Sequence, residues 1–127
     1  ALKKVRRHVK IPVFADEDVK CSGDIPALSD AVDGINIKLM KCGGIREAIR
    51  MIHTARAHDL KIMIGCNIES SISITAAAHL TPLVDYVDLD GHLLVTNDPY
   101  TGVTVDKGRL ILPEDNGLGV SQKAHKS

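Results

Sequence analysis

The sequence is nearly without aromatic side chains: two tyrosines, one phenylalanine and no tryptophan in 127 residues. Its core must therefore come from Ile, Leu, Val and Ala, the composition of α/β layers. Neither sign of charge is in excess, with 16 Lys plus Arg against 16 Asp plus Glu, so no nucleic acid or other polyanion is implied as a partner. The one basic run, LKKVRRHVK at 2–10, has no interleaved aromatics and reads as the solvated face of a helix end. No apolar stretch approaches the ~18 residues of a membrane span, and no basic-then-apolar leader opens the chain. The expectation is a cytoplasmic protein with no membrane partner. Cysteine is scarce and odd in number. Cys21, Cys42 and Cys66 are separated by 21 and 24 positions, which matches no paired metal or redox pattern and reads as reduced thiols.

What is present alternates. Short β runs fall at 11–17 (IPVFADE), 34–40 (GINIKLM), 60–67 (LKIMIGCN) and 86–91 (YVDLDG). Between them lie helical stretches at 24–32, with Asp24 placed as N-cap and Pro26 near the start, at 44–59, and at 70–84, stopped near Pro82. In the middle helix Ile45, Ala48, Ile49, Ile52 and Ala55 share one face. Met40, Met51 and Met63 read as core filler, and His53, His58 and His79 as surface or packing residues. Strands alternating with helices mean βα units and a parallel sheet. The opening ALKKVRRHV resembles the last turns of a helix with no start signal. Four strands are half of the eight in a complete barrel of ~250 residues. The expected architecture is thus an α/β half-barrel over 1–98, with a hairpin and tail over 99–127 that turns between Asp106 and Gly108. Residues after Gly119 are polar and read as frayed.

In a parallel array, chemistry gathers at the carboxyl ends of the strands. Those ends carry Asp16 and Glu17, then Lys38 with Lys41 beyond it, then Cys66 and Glu69, then Asp88 and Asp90. All four β runs place an ionisable group at the same end. Lys38 lies on the opposite face from Ile35, Ile37 and Leu39 and needs a carboxylate partner, for which Asp16 or Glu17 is placed. A carboxylate cluster of this kind suits Mg²⁺, and a lysine beside a divalent ion can serve as a base for a proton α to a carboxylate. Plainer readings stay open: Lys38 in a structural pair with Glu17, Asp16 capping a loop, Glu69 in the capping turn of the next helix, Asp88 and Asp90 as turn residues. A strand lysine can also form a Schiff base. A chain with open sheet edges can pair with a second copy of itself, so a homo-oligomer and a non-catalytic piece are further expectations.

The segments IPVFADE, NIKLMKCGGI, MIGCNIESS and DLDG, in that order and spacing, together with the tail GVTVDKGRLILPEDNGLGV, resemble the C-terminal barrel half of the enolase superfamily. Within it they are similar to the muconate-lactonising subgroup, and GCNIESS followed by DLDG resembles the dipeptide epimerases of the Ala-Glu type rather than muconate cycloisomerase or o-succinylbenzoate synthase. The resemblance implies strands five to eight of a (β/α)8 barrel. It implies Asp16 as one of three carboxylate ligands to Mg²⁺, Glu17 as an acid orienting the lysine, and Lys38 as one of two opposed acid/base lysines. Asp88 and Asp90 would grip the free α-ammonium of a dipeptide, with Cys66 and Glu69 near the substrate. The implied reaction removes the proton α to a carboxylate and returns it through an enediolate. The other lysine, the other two metal carboxylates and the N-terminal capping domain have no counterpart in these residues. The isolated chain is therefore expected to be inactive, with the missing N-terminal half of the barrel as its partner.

Overall fold

A computed structural model describes residues 1–124. Its centre is a four-stranded parallel sheet, β1 (Phe14–Ala15), β2 (Gly34–Lys38), β3 (Lys61–Gly65) and β4 (Tyr86–Val87), arranged in sequence order. Sequential order with helical crossovers is how the staves of a (β/α)8 barrel are laid. The short helix α1 (Leu2–Arg6) precedes β1, α2 (Ile25–Leu28) follows it, and α3 (Leu39–Cys42) and α4 (Ile45–Ala57) join β2 to β3. The connection from β3 to β4 is α5 (Ser71–Ala78).

Alternation along the strands sorts the two faces. Ile35, Ile37, Ile62 and Ile64 are each no more than 1% exposed, and they belong to one core with Ala48, Met51, Ile52 and Ala55 of α4. Full burial of side chains of this size is worth about 1.5–3 kcal/mol apiece. Asn36 and Lys38 take the alternate positions and face the concave side. On that side Phe14 lies across Gly34, where a Cβ would meet its ring at 2.4 Å, and meets Tyr86 edge to face at 5.4 Å.

The outer strands are shorter than the sequence pattern implies. The runs at 11–17 and 86–91 reduce to two paired residues each, because an edge strand has one neighbour to pair with. Beyond Lys38 the chain turns at once into α3, so the period changes from 2 to 3.6. Leu39 stays buried while Met40 swings out to 67% exposure, which corrects its assignment as core filler. Asp24 does not cap α2 with its side chain. Its carboxylate instead accepts the N–H groups of Lys20 and Cys21 at 2.9 Å. The helix expected to reach Val84 ends at Ala78, and the chain makes a 3₁₀ turn, Thr81–Leu83, around Pro82.

The tail is more ordered than a frayed end. β5 (Tyr100–Thr101) pairs antiparallel with β8 (Ser121–Gln122), and β6 (Thr104–Asp106) with β7 (Arg109–Ile111). The turn between β6 and β7 puts Lys107 at φ 48° and Gly108 at φ 79°, the backbone of a tight hairpin. Val103 is 2% exposed and its N–H donates to the Thr75 hydroxyl of α5 at 2.9 Å. Residues 125–127, the end of the segment read as frayed, lie outside the described residues.

Candidate active site

Asp16 is the first residue beyond β1, and the register Ala15–Ile35 sets it beside Asn36 on the next strand. Three donors converge on its carboxylate. The ammonium of Lys38 lies 2.9 Å from Oδ2 and that of Lys41 2.9 Å from Oδ1, while the Asn36 side-chain amide donates to Oδ2 at 3.2 Å. Burial pushes the Asp16 carboxyl up, but the bonds from Lys41, Lys38 and Asn36 outweigh it and hold it below the ordinary carboxylate value. Lys41 also reaches Glu17 at 2.5 Å. Its ammonium is disfavoured by burial, yet the bonds from Glu17 and Asp16 more than offset this and raise its pKa. Glu17 therefore touches Lys41, where its expected contact was with Lys38.

Asn36 is itself held. A Cβ on Gly65, across the β2–β3 ladder, would fall 2.6 Å from Asn36 Oδ1 and 2.8 Å from Nδ2. A glycine in mid-sheet often marks such a close approach. Among the described residues the buried amide oxygen of Asn36 has no hydrogen-bond partner.

The ends of β3 and β4 form the second half of the rim. The N–H of Asp88 continues the ladder to the carbonyl of Ile64 at 2.9 Å. Leu89 then packs into the core at 4% exposure, leaving Asp88 and Asp90 exposed on either side of it. Cys66 Sγ lies 4.0 Å from Asp90 and accepts the N–H of Gly91 at 3.3 Å. A side chain at Gly91 would strike the Asn67 carbonyl at 2.0 Å, so only glycine lets the two strand ends close up here. Burial pushes the Cys66 thiol up, eased by the Gly91 N–H and reinforced by the carboxylates of Asp90, Glu69 and Asp88. Glu69 turns toward its own chain, accepting the N–H of Asn67 at 2.8 Å and the hydroxyl of Ser73, as the capping alternative has it. Among the described residues neither Asp88 nor Asp90 has a salt-bridge partner.

The order of the sheet thus brings Asp16, Lys38, Cys66, Asp88 and Asp90 to one rim. Sequence reasoning passed over Asn36. Its place two residues before Lys38 puts it on the same face, and the glycine at 65 is the other trace of it. It also passed over Asp98, which is 7% exposed and accepts the Ser71 N–H of α5 at 2.6 Å.

The enolase C-terminal domain-like family matches residues 1–126. The chain belongs to that family. Among enolase C-terminal domain-like relatives, a hydrophobic dipeptide epimerase of Roseobacter litoralis is 53% identical over 105 residues, 83% of this chain and 30% of its own length. An L-Ala-D/L-Glu epimerase of Bacteroides thetaiotaomicron is 47% identical over 116 residues, covering 91% of this chain and 30% of the relative. The dipeptide epimerase of Cytophaga hutchinsonii, solved with Mg and the dipeptide D-Ala-L-Val, matches at a TM-score of 0.88 and 34% identity, over 97% of this chain and 35% of that one. The chain spans about a third of the length of the curated relatives it matches.

The described residues do not by themselves make a Mg²⁺ site. Among the described residues no group of three His, Cys, Asp or Glu is placed to hold a metal ion. Asp16 is of the right donor type, but both of its oxygens are taken by ammonium groups. Mg²⁺ asks for octahedral oxygen coordination, so Asp16 can be no more than one ligand among several.

Proposed function

We propose that this chain is the C-terminal barrel portion of a Mg²⁺-dependent dipeptide epimerase acting in the cytoplasm. The observation that carries the reading is the pairing, on one rim, of a nearly buried lysine on the concave face with the Asp88–Asp90 couple, which has no salt-bridge partner among the described residues, one strand beyond Cys66. A dipeptide has a cationic end and an acidic Cα–H beside its carboxylate, and this rim has a group for each. Asp88 and Asp90 would take the α-ammonium by charge-assisted hydrogen bonds. Lys38, its side chain 12% exposed, would take or return the α-proton on one face, and Asp16 would hold that lysine until substrate arrives. The lysine for the opposite face, the remaining metal ligands and the surface that selects the substrate side chain would come from the rest of the enzyme. The epimerases among its relatives support this reading over a muconate cycloisomerase or an o-succinylbenzoate synthase.

The test is proton exchange in D₂O with Mg²⁺ by the full-length enzyme across a dipeptide panel. Exchange at the C-terminal residue's Cα is expected, and Lys38→Met should slow it by about 10²–10⁴-fold for the epimer whose proton faces Lys38. No exchange with any dipeptide would overturn the assignment.

A further inference from the structure

Lys41 is the cation of the site that the proposed chemistry leaves without a task. It sits on α3, one turn past Lys38, on a helix anchored by the buried Leu39. That helix is closed by Gly43 at φ 86°, with the N–H groups of Gly43 and Gly44 both bonded to the Leu39 carbonyl. Its ammonium spans two carboxylates, Asp16 at 2.9 Å and Glu17 at 2.5 Å. Among the described carboxylates Lys38 touches Asp16 alone.

Asp16 needs such a fastening. It follows a strand of two paired residues at the edge of the sheet, and its side chain is 36% exposed. A carboxylate at that position can rotate about both of its side-chain bonds. What limits it is a donor on each oxygen. The Asn36 amide lies on Oδ2, wedged over Gly65, and Lys41 lies on Oδ1, braced from behind by Glu17. Without Lys41, the neighbouring carboxylates of Asp16 and Glu17 would lose the cation they share.

We propose that Lys41 is a positioning residue, a clasp between Asp16 and Glu17 that fixes the Asp16 carboxylate and through it the starting place of Lys38. The inference rests on the epimerase reading for its kinetic consequence and on geometry alone for its structural one.

The test uses the full-length enzyme with Lys41→Met, which keeps the stem and removes the charge, and Lys41→Arg, which keeps the charge. Two readouts are taken: Cα–H exchange in D₂O measured separately from each epimer, and the crystal structure of each variant. In Lys41→Met the Asp16 carboxylate is expected to leave its present place and to carry the Lys38 ammonium with it. Exchange from the epimer facing Lys38 should then fall about a hundredfold further than exchange from the other, as a displacement of about 1 Å at a reacting group costs. Lys41→Arg should restore both. Loss of folded protein alone would slow both epimers equally, and that outcome, or an unmoved Asp16, overturns the clasp. If the unsubstituted enzyme exchanges neither epimer, the epimerase reading fails instead, and the position of Asp16 in the two crystal structures decides the clasp by itself.

Discussion

Asp16 shows how one side chain can be half-buried and still ionised. Burial disfavours its charge, and three donors restore it. The same balance recurs at Asp98, where burial is outweighed by the Ser71 and Tyr100 donors. At Asp33 the Val13 N–H lowers the carboxyl first and Arg6 assists, and at Asp85 Arg56 does so. Each of these carboxyls titrates lower in the folded chain than the ordinary value near 4 that applies when unfolded. Their contribution to stability is therefore complete above that ordinary value. As the pH falls toward the folded values, the unfolded chain binds more protons and stability is lost. Urea midpoints measured from pH 7 down to pH 3 should hold steady and then drop below about pH 4, with a shallower drop in Asp98→Asn. At this scale much of the site was legible, since Lys38 announces itself as a charge opposite Ile35 and Ile37. The contact between Lys41 and Glu17 was not, because it depends on where the chain stops being a strand and starts being a helix.

The elements tell a similar story. Alternation in β2 and β3 and the 3.6 period of α4 were readable because neighbours in the chain report on the same face. The edge strands were overestimated because the sequence shows propensity while pairing requires a neighbour. Asp98 was invisible for a third reason: its partner, Ser71, opens a helix 27 residues earlier in the chain, with β4 between the two. α5 has Ser70 at its N-cap with no capping bond from that side chain, and Asp98 supplies the missing acceptor. Replacing Asp98 with Ala should cost about 1–2 kcal/mol, read as a lower urea midpoint with an unchanged slope. An unchanged midpoint would mean that solvent or Ser70 caps the helix equally well.

At the scale of the molecule, the outer edges of β1 and β4 have no strand neighbour among the described residues. The ion pairs on Asp16 have a consequence for metal. With two ammonium groups already on this carboxylate and, among the described residues, no group of three His, Cys, Asp or Glu placed to hold a metal ion, millimolar Mg²⁺ should leave the melting temperature of the 127-residue chain unchanged. A rise in melting temperature would show that Asp16 and Glu17 recruit the ion without help.

Each stave brings its own ionisable group to the mouth: a carboxylate from the first, an ammonium from the second, a thiol from the third, a pair of carboxylates from the fourth. Because consecutive staves are also spatial neighbours, a genetic exchange at any intervening loop would trade one such group and keep the rest in place. Such a layout lets new chemistry be tried one ingredient at a time, without dismantling the vessel that holds it.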